Sequence, residues 1–108
     1  MDYDTATRLY HEIMTTSLPD LRQGLLAAAV AYARLRTDWR LADADARRDL
    51  DQPRRLAHNA LISACDILSR NMAQRGEPTR WRVTLGHDRE VIGDFACYLH
   101  CLLGIQAR

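Results

Sequence analysis

The chain has 108 residues, 47% of them hydrophobic and 27% charged, with a formal net charge of +1. That balance describes a globular chain rather than a disordered one, and the length suits one domain over residues 1–108. Near-neutrality argues against nucleic acid as an obligatory partner held by bulk charge, while leaving room for a local basic patch.

Ala and Leu, the strongest helix formers, dominate the apolar residues, and β-branched residues are sparse. Three Pro and five Gly leave few turns. The expected fold class is all-α, a four-helix, mostly antiparallel bundle. All fifteen basic residues are Arg. Residues 1–53 carry seven Arg against nine acids and residues 54–108 carry eight against five, a mild charge dipole that suits self-association. Three cysteines, an odd number in a chain able to build its own core, fit free thiols in a reducing cytosol. The start, Met1-Asp2-Tyr3-Asp4, is acidic without an apolar stretch, and the longest apolar run, Leu25 to Ala33, falls far short of a membrane span. A cytoplasmic protein is expected.

In chain order, residues 4–16 read as a first helix, with Ala6, Leu9, Tyr10, Ile13 and Met14 on one face and Asp2 or Asp4 as cap. Ser17 is then a natural N-cap, with Pro19 in the first turn. From there apolar or small residues recur at Leu18, Leu21, Leu25, Ala28, Tyr32, Leu35, Trp39, Ala42, Ala46 and Leu50, in steps of three and four. Beside them runs a line of small residues, Gly24, Ala27 or Ala28, and Ala31, fit for the close approach of another helix. This pattern predicts one long helix over about 18–49, with a bend near Leu41–Asp45 as the alternative. A helix over 18–50 would be a rod of about 50 Å, too long for a compact chain of this size unless it breaks, protrudes or is covered by a second copy.

A third helix is expected over 52–75, opened by Asp49, Asp51 and Pro53 and closed by Gly76. Its expected buried side is Leu56, Ala57, Ala60, Leu61, Ala64, Ile67, Leu68 and Met72. A loop or short extended segment follows at 77–87, because Arg80 to Leu85 alternates polar with apolar residues. The last helix runs from about Asp88 to about Gln106, with Val91, Ile92, Phe95, Leu99, Leu102, Leu103 and Ile105 as apolar positions. A second small line, Gly93, Cys97, Cys101 and Gly104, shares one of its sides.

Three constellations carry possible chemistry. Cys97, His100 and Cys101, with Cys65 or His58 from a neighbouring helix, form a thiolate and imidazole set of the kind that suits zinc or copper(I). The competing reading places both cysteines on the small line as compact packing residues. His87, Asp88, Glu90 and Asp94 form an acidic set able to hold a divalent cation, against which Asp88 reads as a helix cap. Arg80, Trp81, Arg82, His87 and Arg89 combine an aromatic face with guanidinium groups, the requirement for contact with single-stranded nucleic acid. The competing reading folds Trp81 and Leu85 onto the bundle and leaves the arginines in water.

The spacing Arg82-x4-His87 is similar to the R-x4–6-H motif of the helical HEPN ribonucleases. That resemblance covers two residues and implies a base or acid role for His87 and phosphate stabilisation by Arg82. The sequence as a whole predicts a non-enzymatic interaction or regulatory module acting as a homodimer, without a metal or other cofactor. The alternative is nucleic-acid binding or HEPN-like RNase activity centred on Arg80–Arg89.

Overall fold

The structure, a computed structural model, describes residues 1–106, with side chains as far as Gly104. Five helices follow in order: α1 (Tyr3–Met14), α2 (Pro19–Leu41), α3 (Ala44–Gln74), α4 (Arg80–Leu85) and α5 (Arg89–Gln106), with no strand among the described residues. The chain is all-α, with one helix more than the four expected.

Asp2 caps α1 by accepting from the Thr5 amide at 2.8 Å, and Ala6, Leu9, Tyr10 and Ile13 are its buried face. The cap expected at Ser17 takes another form. Leu18 holds the N-cap position of α2 without a side-chain bond, and Pro19 opens the helix. The Ser17 hydroxyl and amide are instead turned to the Glu77 carboxylate, which also accepts from the Thr16 hydroxyl at 2.7 Å. Glu77 thus ties the α1–α2 turn to the segment after α3.

The helix expected over 18–49 ends at Leu41. Ala42 and Asp43 are extended, and Asp43 caps α3 by accepting from the Ala46 amide at 2.8 Å. An aspartate is worth more at an N-cap than inside a helix, where it competes with the backbone. Arg47, in the first turn of α3, reaches back to the last carbonyls of α2, donating from Nε to the Trp39 oxygen at 2.9 Å and from Nη2 to the Arg40 oxygen at 3.1 Å. The last carbonyls of a helix lack the amide four residues on, and of these two only that of Trp39 has a backbone donor, the Ala42 amide at 3.3 Å, so a cation there supplements them and complements the helix dipole.

The two helices therefore fold back as an antiparallel pair: Trp39 meets Asp51, Tyr32 meets His58 and Ser17 meets Arg75. The long rod is α3. It begins eight residues earlier than expected and carries Pro53 in its interior. Its 31 residues at about 1.5 Å each match the 47 Å long dimension of the molecule. Its end follows the expectation at Gly76, which has φ +73°, while the Glu77 amide donates to the Met72 carbonyl and the Gly76 amide to that of Ala73. That is a Schellman stop, which favours glycine at the left-handed position.

The core joins Ile13 of α1, Leu25, Ala29 and Tyr32 of α2, Leu61, Cys65, Leu68 and Met72 of α3, Trp81 and Leu85 of α4, and Ile92, Phe95 and Leu99 of α5. Two expected faces differ from this. Gly24, Ala27 and Ala31 are exposed, and nothing lies within 4 Å of where a Gly24 side chain would be, so of that small line only Ala28, half-buried against the core, makes a packing contact. On α3 the expected buried side is divided: Leu61, Leu68 and Met72 enter the core, whereas Leu56, Ala60 and Ile67 are exposed. The apolar position expected at Ile105 lies outside the described side chains.

Candidate functional site

The segment expected as extended or loop at 77–87 contains the six-residue helix α4. A run of six alternating residues fits a strand or a single helical turn and a half, and burial decides between them. A strand would place Trp81, Val83 and Leu85 on one face. The structure buries Trp81, Arg82 and Leu85, a helical spacing, and leaves Val83 80% exposed. Glu12 of α1 supports the helix start, its carboxylate accepting from the Trp81 amide at 3.1 Å.

This geometry redefines the Arg80–Arg89 group. Trp81 is wholly buried, so its ring offers no stacking face to a base. Arg82 is buried too: Nε donates to Asp66 Oδ1 at 2.7 Å and Nη1 to the Gly86 carbonyl at 2.7 Å. Its Nη2 lies 3.4 Å from His87 Nδ1, so the structure does bring the two motif residues together, beside a shallow cavity of about 310 Å³ shared with Asp66 and Val83. His87, Arg80 and Arg89 are exposed. Arg80 and Arg89 belong to different surroundings: Arg80 lines a cavity with Thr5, Arg8 and Glu12 of α1, and Arg89 faces α2 and α3.

The sulfur set does not converge. Cys65 is buried in the core, Cys97 is half-buried and Cys101 is exposed. Arg36 Nη1 donates to Cys97 Sγ at 3.5 Å, which places a cation beside the thiol. His100 is half-buried, and His58 packs against Tyr32 on the α2–α3 side. Among the described residues no three His, Cys, Asp or Glu side chains come together as a metal-holding group. Nor does the acidic set form one cluster. Asp88 caps α5, accepting from the Glu90 and Val91 amides at 2.9 and 3.1 Å. Asp94 accepts from Arg36 Nη2 at 3.1 Å and from the Met1 ammonium at 3.2 Å. Burial works against the Asp94 charge, but these two cations outweigh it and hold its carboxyl below the usual range.

Gly93 explains how Arg36 reaches this place. A side-chain carbon at Gly93 would come within 2.7 Å of Arg36 Nε, so the glycine makes room for a guanidinium rather than for a neighbouring backbone. The Gly93 and Cys97 part of the small line of α5 is a seat for Arg36, while Cys101 and Gly104 are exposed.

Two surfaces were not expected from the sequence. One is the outer face of α3, where Leu56, Ala60, Ser63 and Ile67 are all exposed. The other is a cavity of about 200 Å³ between α2, α3 and the start of α5, bordered by Arg36, Arg40, Arg54 and Arg89. The i,i+4 spacings Tyr32-Arg36-Arg40 and Arg54-His58 could have shown the second in part. Nothing in the sequence places Arg89 beside them.

No protein-family model, curated protein or solved structure matches the chain. No described helix is long and apolar enough to cross a membrane.

Proposed function

We propose that the protein is a non-enzymatic interaction module that acts as a homodimer, joined through the outer face of α3. The observation that carries this reading is the pattern Leu56-x3-Ala60-x2-Ser63-x3-Ile67, four exposed residues on one side of the helix. Leu56 is 59% exposed and Ile67 43%. The order is large, small, small, large, and the spacing is symmetric about its midpoint. A two-fold interface needs such a self-complementary patch, because each residue meets the partner's counterpart across the axis. With two α3 helices antiparallel, Leu56 of one copy faces Ile67 of the other, and Ala60 faces Ser63, so the small residues sit where the helices cross. The flanking residues Gln52, Pro53 and Arg70 are exposed and polar or non-packing, as an interface rim should be.

Sedimentation velocity of the full chain tests the reading. A dimer at micromolar concentration is expected, with Leu56→Asp and Ile67→Asp weakening it at least about tenfold while far-UV circular dichroism stays helical. Tyr3→Asp, at an exposed residue of α1, leaves the dimer intact. A monomeric native chain at tens of micromolar refutes it.

A second reading rests on the 3.4 Å approach of Arg82 Nη2 to His87 Nδ1, which fits the ribonuclease alternative. An RNA cleavage assay decides it: activity that is present in the native chain and absent in His87→Ala supports the alternative, and equal activity or none in both removes it.

A further inference from the structure

We infer that the cavity between α2, α3 and the start of α5 is a binding site for the phosphate group of a small molecule. Its walls are guanidinium groups from three helices: Arg36 and Arg40 on α2, Arg54 on α3 and Arg89 at the first position of α5. Neither Arg40 nor Arg89 has an ion-pair partner among the described residues, and Arg54 is stacked on the Trp39 ring at 4.1 Å with a long Asp51 contact at 3.6 Å, which leaves most of its N–H groups unused. Glu90 is the one acid on the rim.

Three independent features distinguish this place from a merely basic surface. Arg36 is nine-tenths buried, and Asp94 and Cys97 take only two of its five N–H groups, leaving donors unused beside the cavity. Tyr32, at 1% exposure, borders the cavity, and its hydroxyl makes no hydrogen bond among the described residues. His58, edge-on to Tyr32 at 5.4 Å between ring centroids, has both ring nitrogens shielded from solvent and unpartnered. Buried polar groups are paired as a rule; the unused Arg36 donors and the Tyr32 hydroxyl belong to residues that line the cavity, and the unpartnered His58 ring stands behind Tyr32, a set of unmet polar groups that a ligand completes.

The shape of the donor set selects the ligand. Guanidinium groups converge from three directions, which a tetrahedral phosphate can meet with separate oxygens and a planar carboxylate cannot. Asp94 and Asp51 each neutralise part of the positive charge, so the balance fits one phosphate group rather than a polyphosphate chain. The cavity, at about 200 Å³, admits orthophosphate or the head of a small phosphomonoester.

Isothermal titration of the full chain with orthophosphate and, separately, with glycerol 3-phosphate tests the inference, both at fixed ionic strength in chloride. Saturable binding, one per chain, is expected for at least one of them. Tighter orthophosphate marks the free ion as the ligand, and tighter glycerol 3-phosphate marks an ester. Arg89→Gln and Arg54→Gln should each weaken binding about tenfold or more, as loss of a charge-assisted hydrogen bond does. Tyr32→Phe should weaken it without lowering the melting temperature of the unliganded protein, because the hydroxyl has no partner to lose. Arg34→Gln, on the opposite side of α2 from Arg36, should change nothing. Leu56→Asp should also bind normally, so this site stands or falls apart from the dimer. Absence of saturable binding of either probe up to millimolar concentration overturns the inference, as does equal weakening by Arg34→Gln, which would reduce the effect to diffuse charge.

Discussion

Arg82 shows how one side chain can be claimed by the fold rather than by chemistry. Its flanking residues suggested a phosphate-facing cation, yet its guanidinium pins α3, through Asp66, to the Gly86 carbonyl that ends α4. Arg82→Met keeps the aliphatic stem and removes both bonds; it should cost about 2 kcal/mol in urea unfolding, the scale of hydrogen bonds to a charged group. The cysteines divide by the same logic of burial. The Cys65 thiol is pushed up to about 12 by burial, whereas Cys101 is open to solvent. A thiol reagent at neutral pH should label Cys101 in the native protein and Cys65 only on unfolding. Burial also holds the His58 pKa below its ordinary value, with Arg89 and Arg54 adding to the effect and Asn59 opposing it in part. As pH falls, the unfolded chain therefore takes up this proton before the folded chain does. The stability this represents is complete above the ordinary histidine range and is lost as pH drops through the lowered folded value. The melting temperature should fall between about pH 7 and pH 5, and fall less in His58→Gln.

Among the helices, the break between α2 and α3 has the largest consequence. The apolar stripe runs through it without interruption, since Ala42, Ala46 and Leu50 keep the spacing. What ends the helix is local: Asp43 gains more as a cap than as an interior residue, and Arg47 supplies donors to the terminal carbonyls of Trp39 and Arg40, the first of which the Ala42 amide also bonds. Asp43→Ala should cost about 1 kcal/mol in thermal or urea unfolding. Pro53 presents the opposite case. It reads as the start of a helix, but it lies inside α3, where its ring removes the bond to the carbonyl four residues back. Because Pro53 is exposed, Pro53→Ala should raise stability by about 1–2 kcal/mol, the helix gain being partly offset by a freer unfolded chain. An unchanged or lower unfolding midpoint contradicts that account.

In the molecule as a whole, the pairing of α2 with α3 converts an expected 50 Å rod into a hairpin, and the long dimension passes to α3. No residue of α3 before Leu61 is buried, so the first half of that helix, together with the end of α2, projects past the core. Leu41, at 82% exposure, marks the tip. The same projection shapes the Arg-lined cavity, because Arg40 and Arg54 stand near the tip while Arg36 and Arg89 are held at the edge of the core. The proposed dimer face and the cavity use different sides of this hairpin, which is why Leu56→Asp and Arg89→Gln should separate association from phosphate binding.

The helical class, the caps at Asp2 and Asp88 and the glycine stop at Gly76 were legible in the sequence, because each depends on residues within one or two turns of each other. Most core positions of α1 and α5 were legible for the same reason, since periodicity marks the apolar face. Which side of α3 that face meets was not: its apolar residues cover more than half the circumference, and only the position of α2 and α5 sets Leu61 inside and Leu56 outside. Arg80–Leu85 reads from its alternation as loop or extended segment, and the helix found there follows from contacts the alternation cannot show, with Glu12 and the core. The Arg36 seat on Gly93 and the gathering of Arg36, Arg54 and Arg89 join three segments far apart in the chain. Spacing along one helix can align such residues, but bringing them to one cavity takes long-range packing, and that is a property of the folded chain alone.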